Sequence, residues 1–170
     1  MIKVGGVVII TLELRNHLAA AQVDAGDPGR VLTSVDTPLL DIGEIGEFDD
    51  SGVNPCSVID WAGRKFLYYQ GWQRTERAPY LVFTGLAVSD DGGRKFQKYS
   101  RVPLLERTAD DPYMRAAPCV LAEDSGLRIW YVSVLKWVQE PEGIRYRTVI
   151  RHAHSSDGVS WLTSPGNCVE

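Results

Sequence analysis

The sequence predicts an all-β fold built from repeated antiparallel sheets, and two observations support this. Four segments are rich in aromatic and β-branched residues, with Gly, Pro, Asp and Ser turns between them, namely FLYYQGW, LVFTGLAVS, RIWYVSVL and RTVIRHAHS. The sequence also repeats itself at a nearly constant offset. A repeat with a nearly fixed period indicates an architecture of repeated structural units, and it is stronger evidence for the fold than any local pattern.

The repeat is carried by matching residues in the two halves of the chain. The pair Asp49-Asp50 matches Asp110-Asp111 at an offset of 61 residues, and Pro55-Cys56 matches Pro118-Cys119 at 63. Further along, the matches are Trp72 with Trp137 at 65 and Ser89 with Ser155 at 66. A slowly drifting offset is typical of a structural unit whose copies differ by small loop insertions.

Each copy contains four segments with strand character. The expected strands are 56–61, 65–71, 81–88 and 95–99 in the first copy, and 118–123, 127–134, 146–154 and 160–162 in the second. A Ser-Asp-Gly turn separates the last two strands of each copy. Four-stranded repeats of about 60 residues are the size of β-propeller blades.

A degraded copy precedes these two, because Pro38-Leu39-Leu40 matches Pro103-Leu104-Leu105 at an offset of 65. We therefore expect a single domain over residues 1–170, a partial β-propeller with two full blades plus part of a third. The blades would cover approximately 1–48 (partial), 49–109 and 110–170. Only Leu14–Val23 carries an apolar period compatible with a helix.

Composition excludes several classes of function. A net charge of −4 and a pI near 5.4 give no basic face for nucleic acid. The three cysteines and three histidines show no metal-ligand spacing, so neither a metal nor another cofactor is expected. Cys56 and Cys119 are interpreted as small core residues.

The N-terminal apolar run has two interpretations. VVIITLEL reads as a β-strand, whereas its position after Lys3 and before three alanines loosely imitates a secretory signal. Glu13 and Arg15 interrupt the run, which favours the strand and a cytoplasmic over a secreted location. The run is too short to span a membrane, so no membrane partner is expected.

Several of these motifs, in this order, resemble the five-bladed β-propeller glycosidases, the superfamily of arabinanases, β-xylosidases, invertases and levansucrases (glycoside hydrolase families 43 and 32). The motifs are FDDSGVNP, FLYYQGW, GLAVSDDGGRKF, DDPYMRAAP, RIWYVS and IRHAHSSDGVSW. They cover most of the sequence from residue 36 onward. The resemblance implies a truncated member of that superfamily.

The resemblance also implies a catalytic set of three carboxyl groups on successive blades. Asp50 matches the base or nucleophile, Asp111 the assisting aspartate, and Glu170 has the residue type of the acid. In the invertase branch an Arg directly precedes the assisting aspartate, whereas Arg107 lies four residues before Asp111. Hydrolysis needs one protonated and one ionised carboxyl group flanking the scissile bond.

The remaining candidates would bind the sugar, namely Asp49, Asp110, Trp72, Trp137 and Tyr113. Aromatic faces suit sugar stacking, but aromatic residues at strand ends also serve core packing. Both Asp pairs could equally be turns that cap the backbone. Glu140 and Glu142 lie in an expected hairpin loop and could supply a further carboxyl group.

Three functional hypotheses follow. The protein is a glycoside hydrolase of the arabinofuranosidase or xylosidase type, a non-catalytic carbohydrate-binding or assembly module descended from one, or an incomplete product of a longer gene. The expected partners are a carbohydrate ligand and a second copy of the protein. Such a homo-oligomer would complete the propeller and cover exposed blade faces and edges.

Overall fold

The structure is a computed structural model that contains strands, turns and bends and no helix among the residues it describes. Those residues are 2–4, 7–12, 17–24, 26–27, 29–34 and 37–168, with side chains described from residue 17 onward. Within these ranges no helix is long and apolar enough to cross a membrane. The predicted all-β class is confirmed.

The first unit is a four-stranded antiparallel sheet in sequence order. Its strands are β1 (Ile2–Val4), β2 (Val7–Leu12), β3 (His17–Val23) and β4 (Val31–Ser34). The strand expected in VVIITLEL is present as β2. Over the described part of Leu14–Val23 the helical reading is wrong, because β3 begins at His17 and pairs with β2 along nearly all of its length. Tertiary pairing overrides a weak local period.

The second and third units are antiparallel meanders of four strands each. The second contains β5 (Gly52–Trp61), β6 (Arg64–Arg74), β7 (Tyr80–Ser89) and β8 (Gln97–Lys98), and the third contains β9 (Met114–Glu123), β10 (Gly126–Glu140), β11 (Gly143–Ser155) and β12 (Leu162–Thr163). Every predicted strand is found. Most extend further at their ends, whereas β8 and β12 are shorter or shifted. A single parallel bridge, Phe83 to Arg115, joins β7 to β9.

Strand pairing corrects the offset between the two copies. Leu67 faces Val58 on the neighbouring strand just as Ile129 faces Val120, so the first two strands of each unit are related by a constant 62 residues. On this register Trp72 corresponds to Val134, not to Trp137. Trp137 lies beyond a bulge in the longer β10–β11 hairpin, which a sequence match cannot place.

Alternation along β6 sends side chains into two separate cores. Leu67 and Tyr69 join a cluster with Leu18, Leu40 and Phe83, between the first and second units. Their neighbours on the opposite face join a second cluster, between the second and third units, whose members include Phe66, Tyr68, Leu86, Val88, Leu127, Ile129 and Tyr131. These alternating β6 side chains therefore serve two different interfaces between units.

The face of the third unit that corresponds to this second core has different chemistry. In the second unit, β6 and β7 pair Phe66 with Val88 and Tyr68 with Leu86. At the corresponding positions of the third unit, β10 and β11 pair Arg128 with His154 and Trp130 with His152. The four residues in the second unit are buried, whereas those in the third are partly or fully exposed. The two units thus share a backbone plan but not the character of this face.

The Ser-Asp-Gly turns have the predicted structural role. Ser155 Oγ accepts from Gly158 N at 2.8 Å, and Asp157 accepts from the amides of Val159 and Ser160 at 2.8 and 2.7 Å. These backbone donors lower the pKa of Asp157 to about 2. Gly158 has a φ of 78°, and its carbonyl accepts a hydrogen bond from Tyr68 at 2.9 Å.

The two cysteines of the repeat differ in environment. Cys56 is half-buried, and desolvation raises the pKa of its thiol to about 12. Cys119 is exposed, so the interpretation of it as a core residue is wrong. The register explains the difference, because Cys56 occupies the bulge between Pro55 and Ser57 while Cys119 pairs directly with Trp130.

Candidate functional site

Asp111 lies at the centre of a buried polar cluster just before β9. Its side chain is 1% exposed. Oδ2 accepts from the Tyr131 hydroxyl at 3.1 Å and lies 3.2 Å from Arg115 Nε, and Oδ1 accepts from the Ser133 hydroxyl and lies 3.1 Å from Arg151 Nη1. Both carboxylate oxygens are therefore engaged by protein groups, and two guanidinium groups lie within ion-pair distance of this single negative charge.

Asp49 occupies the equivalent place just before β5, with a fully buried side chain. Its Oδ2 accepts from the Tyr69 hydroxyl at 2.9 Å and lies 2.7 Å from Lys98 Nζ. Its Oδ1 has no hydrogen-bond partner within the described parts of the protein. Gly71 occupies the position that corresponds to Ser133, and a Cβ added there would clash with the Asp49 side chain. The hydrogen bond from a tyrosine hydroxyl to a buried aspartate, called the aspartate brace below, thus occurs in both units, whereas the charged partners of the aspartate differ.

Asp50 caps a turn at the surface and does not share the buried site of Asp49. Its carboxylate accepts from Gly46 N at 2.9 Å, from the Ser51 hydroxyl at 2.8 Å and from Gln73 Nε2 at 3.4 Å. Partial burial works to raise the pKa of Asp50, but these three donors outweigh it and the pKa is lowered. The predicted match of Asp50 with Asp111 is corrected, because Asp49 is the residue that shares the Asp111 environment. Asp110 is exposed.

Arg107 does not pair with Asp111, and its guanidinium lies 5.1 Å from the centre of the Phe83 ring. Arg115 and Arg151 provide the positive charges instead, and sequence reasoning missed both, together with Lys98 and the two tyrosines. A signal for the tyrosines was present. Tyr69 and Tyr131 are 62 residues apart, as are Asp49 and Asp111.

A groove of about 370 Å³ is lined by residues of the second and third units. Trp72, Tyr80 and Tyr146 supply its aromatic walls, and Asn54 and Gln70 supply side-chain amides. The other lining residues are small or aliphatic apart from one thioether, namely Val82, Met114, Ala116, Ala117, Val132 and Val134. Trp137 is not part of the lining, and its ring packs edge-on with those of Tyr80 and Tyr146, with ring centres 6.3 and 5.4 Å apart.

The groove and the buried aspartates lie on opposite faces of the sheet. Gln70 and Trp72 line the groove, whereas Tyr69 and Gly71 between them contact Asp49. The same alternation in β10 places Val132 and Val134 in the groove, and Tyr131 and Ser133 on Asp111. Successive side chains of a strand point to opposite faces. The structure therefore separates the buried aspartates from the predicted stacking residue Trp72.

The other candidate residues are scattered. Tyr113 is 37% exposed. Glu140 and Glu142, at the β10–β11 turn, pair with Arg147 at 2.8 Å and Arg145 at 3.5 Å. Glu170 lies outside the described residues, and no group of three or more metal-ligating side chains occurs among the described ones.

These arrangements differ in what they can do chemically. A carboxylate with both oxygens engaged inside the protein is a structural anchor, and reaching a substrate would require opening the core. An open groove with aromatic walls and free amides suits a ligand with both apolar faces and hydroxyl groups.

No protein-family model matches the sequence. Two uncharacterized proteins, from two strains of Mycobacterium tuberculosis, are each 33% identical to this protein over 147 residues, which is 86% of its length and 48% of theirs. The sequence therefore spans about half the length of the curated relatives it matches.

Among solved structures, the BT0996 RGII complex superposes with a TM-score of 0.66 and 18% identity, over 98% of this protein and 55% of the matched polypeptide. A glycoside hydrolase superposes with a TM-score of 0.64 and 16% identity, over 89% of this protein and 48% of the matched polypeptide. Sucrose-6-phosphate hydrolase from Lactobacillus gasseri superposes with a TM-score of 0.61 and 15% identity, over 89% of this protein and 29% of the matched polypeptide. At these identities the likeness concerns the fold, and the protein has a glycosidase-like all-β fold.

Proposed function

We propose that this protein binds carbohydrate in the groove lined by Trp72, Tyr80 and Tyr146. The observation that carries the proposal is the groove itself, where aromatic walls stand beside two side-chain amides with no hydrogen-bond partner among the described residues. Pyranose rings offer apolar C–H faces to aromatic rings and hydroxyl groups to amides. The likeness of the fold to glycoside hydrolases supports this ligand class, although a fold alone does not determine function.

Binding to a panel of neutral oligosaccharides, measured by calorimetry, tests the proposal. Trp72→Ala should weaken binding by about tenfold or more, because a main stacking surface is lost. Trp130→Ala is the matched control, since Trp130 lies outside the groove on the exposed part of the third unit. Equal loss in both variants, or no binding by the parent protein, would refute the proposal.

Glycoside hydrolysis is the second candidate, with Asp50, Asp111 and Glu170 as the predicted carboxyl groups. Two observations favour it: the likeness of the fold to glycoside hydrolases, and the lowered pKa of the partly exposed Asp50, which suits a base or nucleophile. The burial of Asp111 counts against direct contact with substrate.

Aryl arabinofuranoside, xyloside, galactoside and fructoside donors distinguish hydrolysis from binding alone. If hydrolysis occurs through these residues, Asp50→Asn abolishes turnover while the free energy of unfolding changes little. Asp111→Asn must be compared with its own stability loss, because this substitution breaks a buried ion pair. Turnover that both substitutions leave unchanged would remove these residues from the mechanism.

We further propose that the three units are blades of a partial β-propeller, at approximately 1–48, 49–109 and 110–170, and that a second copy of the protein covers the third. The third unit exposes apolar side chains on the outer face of its sheet, with Leu121 54% and Ile150 39% exposed. In the second unit the corresponding face is covered by the third. Light scattering should show a dimer that Leu121→Lys weakens, and a clean monomer would count against it.

A further inference from the structure

The groove carries no formal charge. None of its eleven lining residues is an acid, a lysine, an arginine or a histidine. The only titratable groups in its lining are Tyr80 and Tyr146, whose side chains interact with each other. The neighbouring Tyr146 side chain and partial burial raise the pKa of Tyr80, so its hydroxyl stays protonated at physiological pH.

The polar groups of the groove are two amides on neighbouring strands. Asn54 of β5 and Gln70 of β6 are directly paired, which places their side chains on the same face about 5 Å apart. Neither side-chain amide is hydrogen-bonded within the described residues. Together they offer two carbonyl acceptors and four N–H donors, which matches neighbouring hydroxyl groups on a sugar ring.

The opposite face of the same strands shows how this fold treats negative charge. There, Asp111 has two arginines within ion-pair distance and Asp49 has a lysine. A carboxylate or phosphate that entered the groove would lose hydration without any such counter-charge, which is costly. The net charge of −4 adds weak long-range repulsion of anions.

We infer that the groove selects uncharged pyranoses and rejects their acidic counterparts, such as uronic acids and sugar phosphates. This inference rests on the proposed function, because it names the class of carbohydrate that the same groove accepts. The aromatic walls set the affinity for the ring, and the absence of cations from the groove lining sets the discrimination against acids.

Matched ligand pairs test the selectivity. Methyl glucoside and methyl galactoside are compared with the methyl glycosides of glucuronate and galacturonate, which differ from them at C6. Each dissociation constant is measured by calorimetry or ligand-observed NMR. We expect the neutral member of each pair to bind at least about tenfold more tightly, in keeping with an unpaired charge in an apolar site.

One added charge should change this ratio. Gln70→Lys places a cation in the groove and should bring the two members of each pair to within about threefold, through gained affinity for the acid. Gln97→Lys is the matched control, because it adds the same charge on an exposed residue of β8 outside the groove, and it should leave the ratio unchanged.

The outcomes are distinguishable. Equal or tighter binding of the acids by the parent protein overturns the inference and leaves carbohydrate binding intact. A Gln97→Lys variant that shifts the ratio as much as Gln70→Lys also overturns it, because selectivity would then come from overall charge. If no sugar binds, the proposed function fails and the inference fails with it. Thermal melts of both variants verify that each is folded.

Discussion

The second and third units build the same buried aspartate brace with different partners. In both, a carboxylate just before the first strand accepts a hydrogen bond from a tyrosine on the second strand, Tyr69 to Asp49 and Tyr131 to Asp111. Asp111 is held by two arginines and a serine, whereas Asp49 has one lysine and an oxygen without a partner among the described residues. The repeat thus preserves geometry more strictly than charge balance.

The opposite face of the two units differs more. Phe66, Tyr68, Leu86 and Val88 bury this face in the second unit, while Arg128, Trp130, His152 and His154 occupy the same positions in the third. A core residue must exclude water, and an arginine or histidine at that place is tolerated only where water or a polar partner reaches it. The comparison indicates that a partner covering this face would have to offer polar groups to these four residues, as well as apolar groups to Leu121 and Ile150.

The largest expected difference concerns the two aspartates. Asp111→Asn leaves Arg115 and Arg151 without a buried counter-charge and should lower the free energy of unfolding by about 3–5 kcal/mol. Asp49→Asn should cost less, because it releases one cation instead of two, and the Lys98 side chain is 18% exposed whereas that of Arg115 is 6% exposed. Urea unfolding measures both, and an equal or larger loss for Asp49→Asn would contradict the contrast between the two braces.

Exchanging residues between the opposite faces tests the second contrast. Leu86→His places a polar ring in a core position that is 3% exposed and should cost about 2–5 kcal/mol. His152→Leu, at the matching position of the third unit, should stay within about 0.5 kcal/mol of the parent. Chemical denaturation measures the free energy of unfolding of both variants. Comparable losses in both variants would mean that the two faces are equally buried.

A third pair of variants asks whether the braces are interchangeable. Ser133→Ala removes a donor to the buried Asp111 carboxylate and should cost about 1.5–3 kcal/mol. Gly71→Ser would offer Asp49 the missing hydroxyl, but a Cβ at Gly71 would clash with the side chains of Asp49 and Phe48. Overpacking should therefore destabilise Gly71→Ser by about 1–3 kcal/mol. Urea unfolding compares the two, and stabilisation by Gly71→Ser would show that the second brace can adopt the arrangement of the third.

The smallest expected effect is a pH dependence confined to the third unit. Burial, followed by the charges of His154 and Arg128, lowers the pKa of His152 below 6.5. The unfolded protein therefore takes up the proton more readily, and stability should fall as the pH drops from about 7.5 to about 5.5. His152→Gln should reduce this slope, whereas Leu86 and Val88 leave no titratable group at the matching positions. Urea midpoints across that range measure it, and an unchanged slope in His152→Gln would exclude the contribution.

Much of the fold could be predicted from the sequence because repetition and strand composition are local signals. Both full meanders, their Ser-Asp-Gly turns and the earlier strand at VVIITLEL were predicted on that basis. The register between the two repeats could not be predicted from the sequence, because a shift of one residue decides whether Asp49 or Asp50 is the buried carboxylate. The hydrogen bond from Tyr69 identifies Asp49 as the buried one. Trp72 and Trp137 match in sequence, yet the bulge in β10 removes their equivalence.

The sequence by itself determined that this protein is a repeated all-β polypeptide with paired aspartates at the head of each full repeat. Only the tertiary structure decided that Asp49 and Asp111 are sealed by Lys98, Arg115 and Arg151, and that the groove of Trp72 lies on the opposite face. The physical reason is that composition and spacing fix which segments become strands, whereas side-chain alternation and register fix which face each residue joins. In this protein the buried aspartates lie on one face of the strands and the open groove lies on the other.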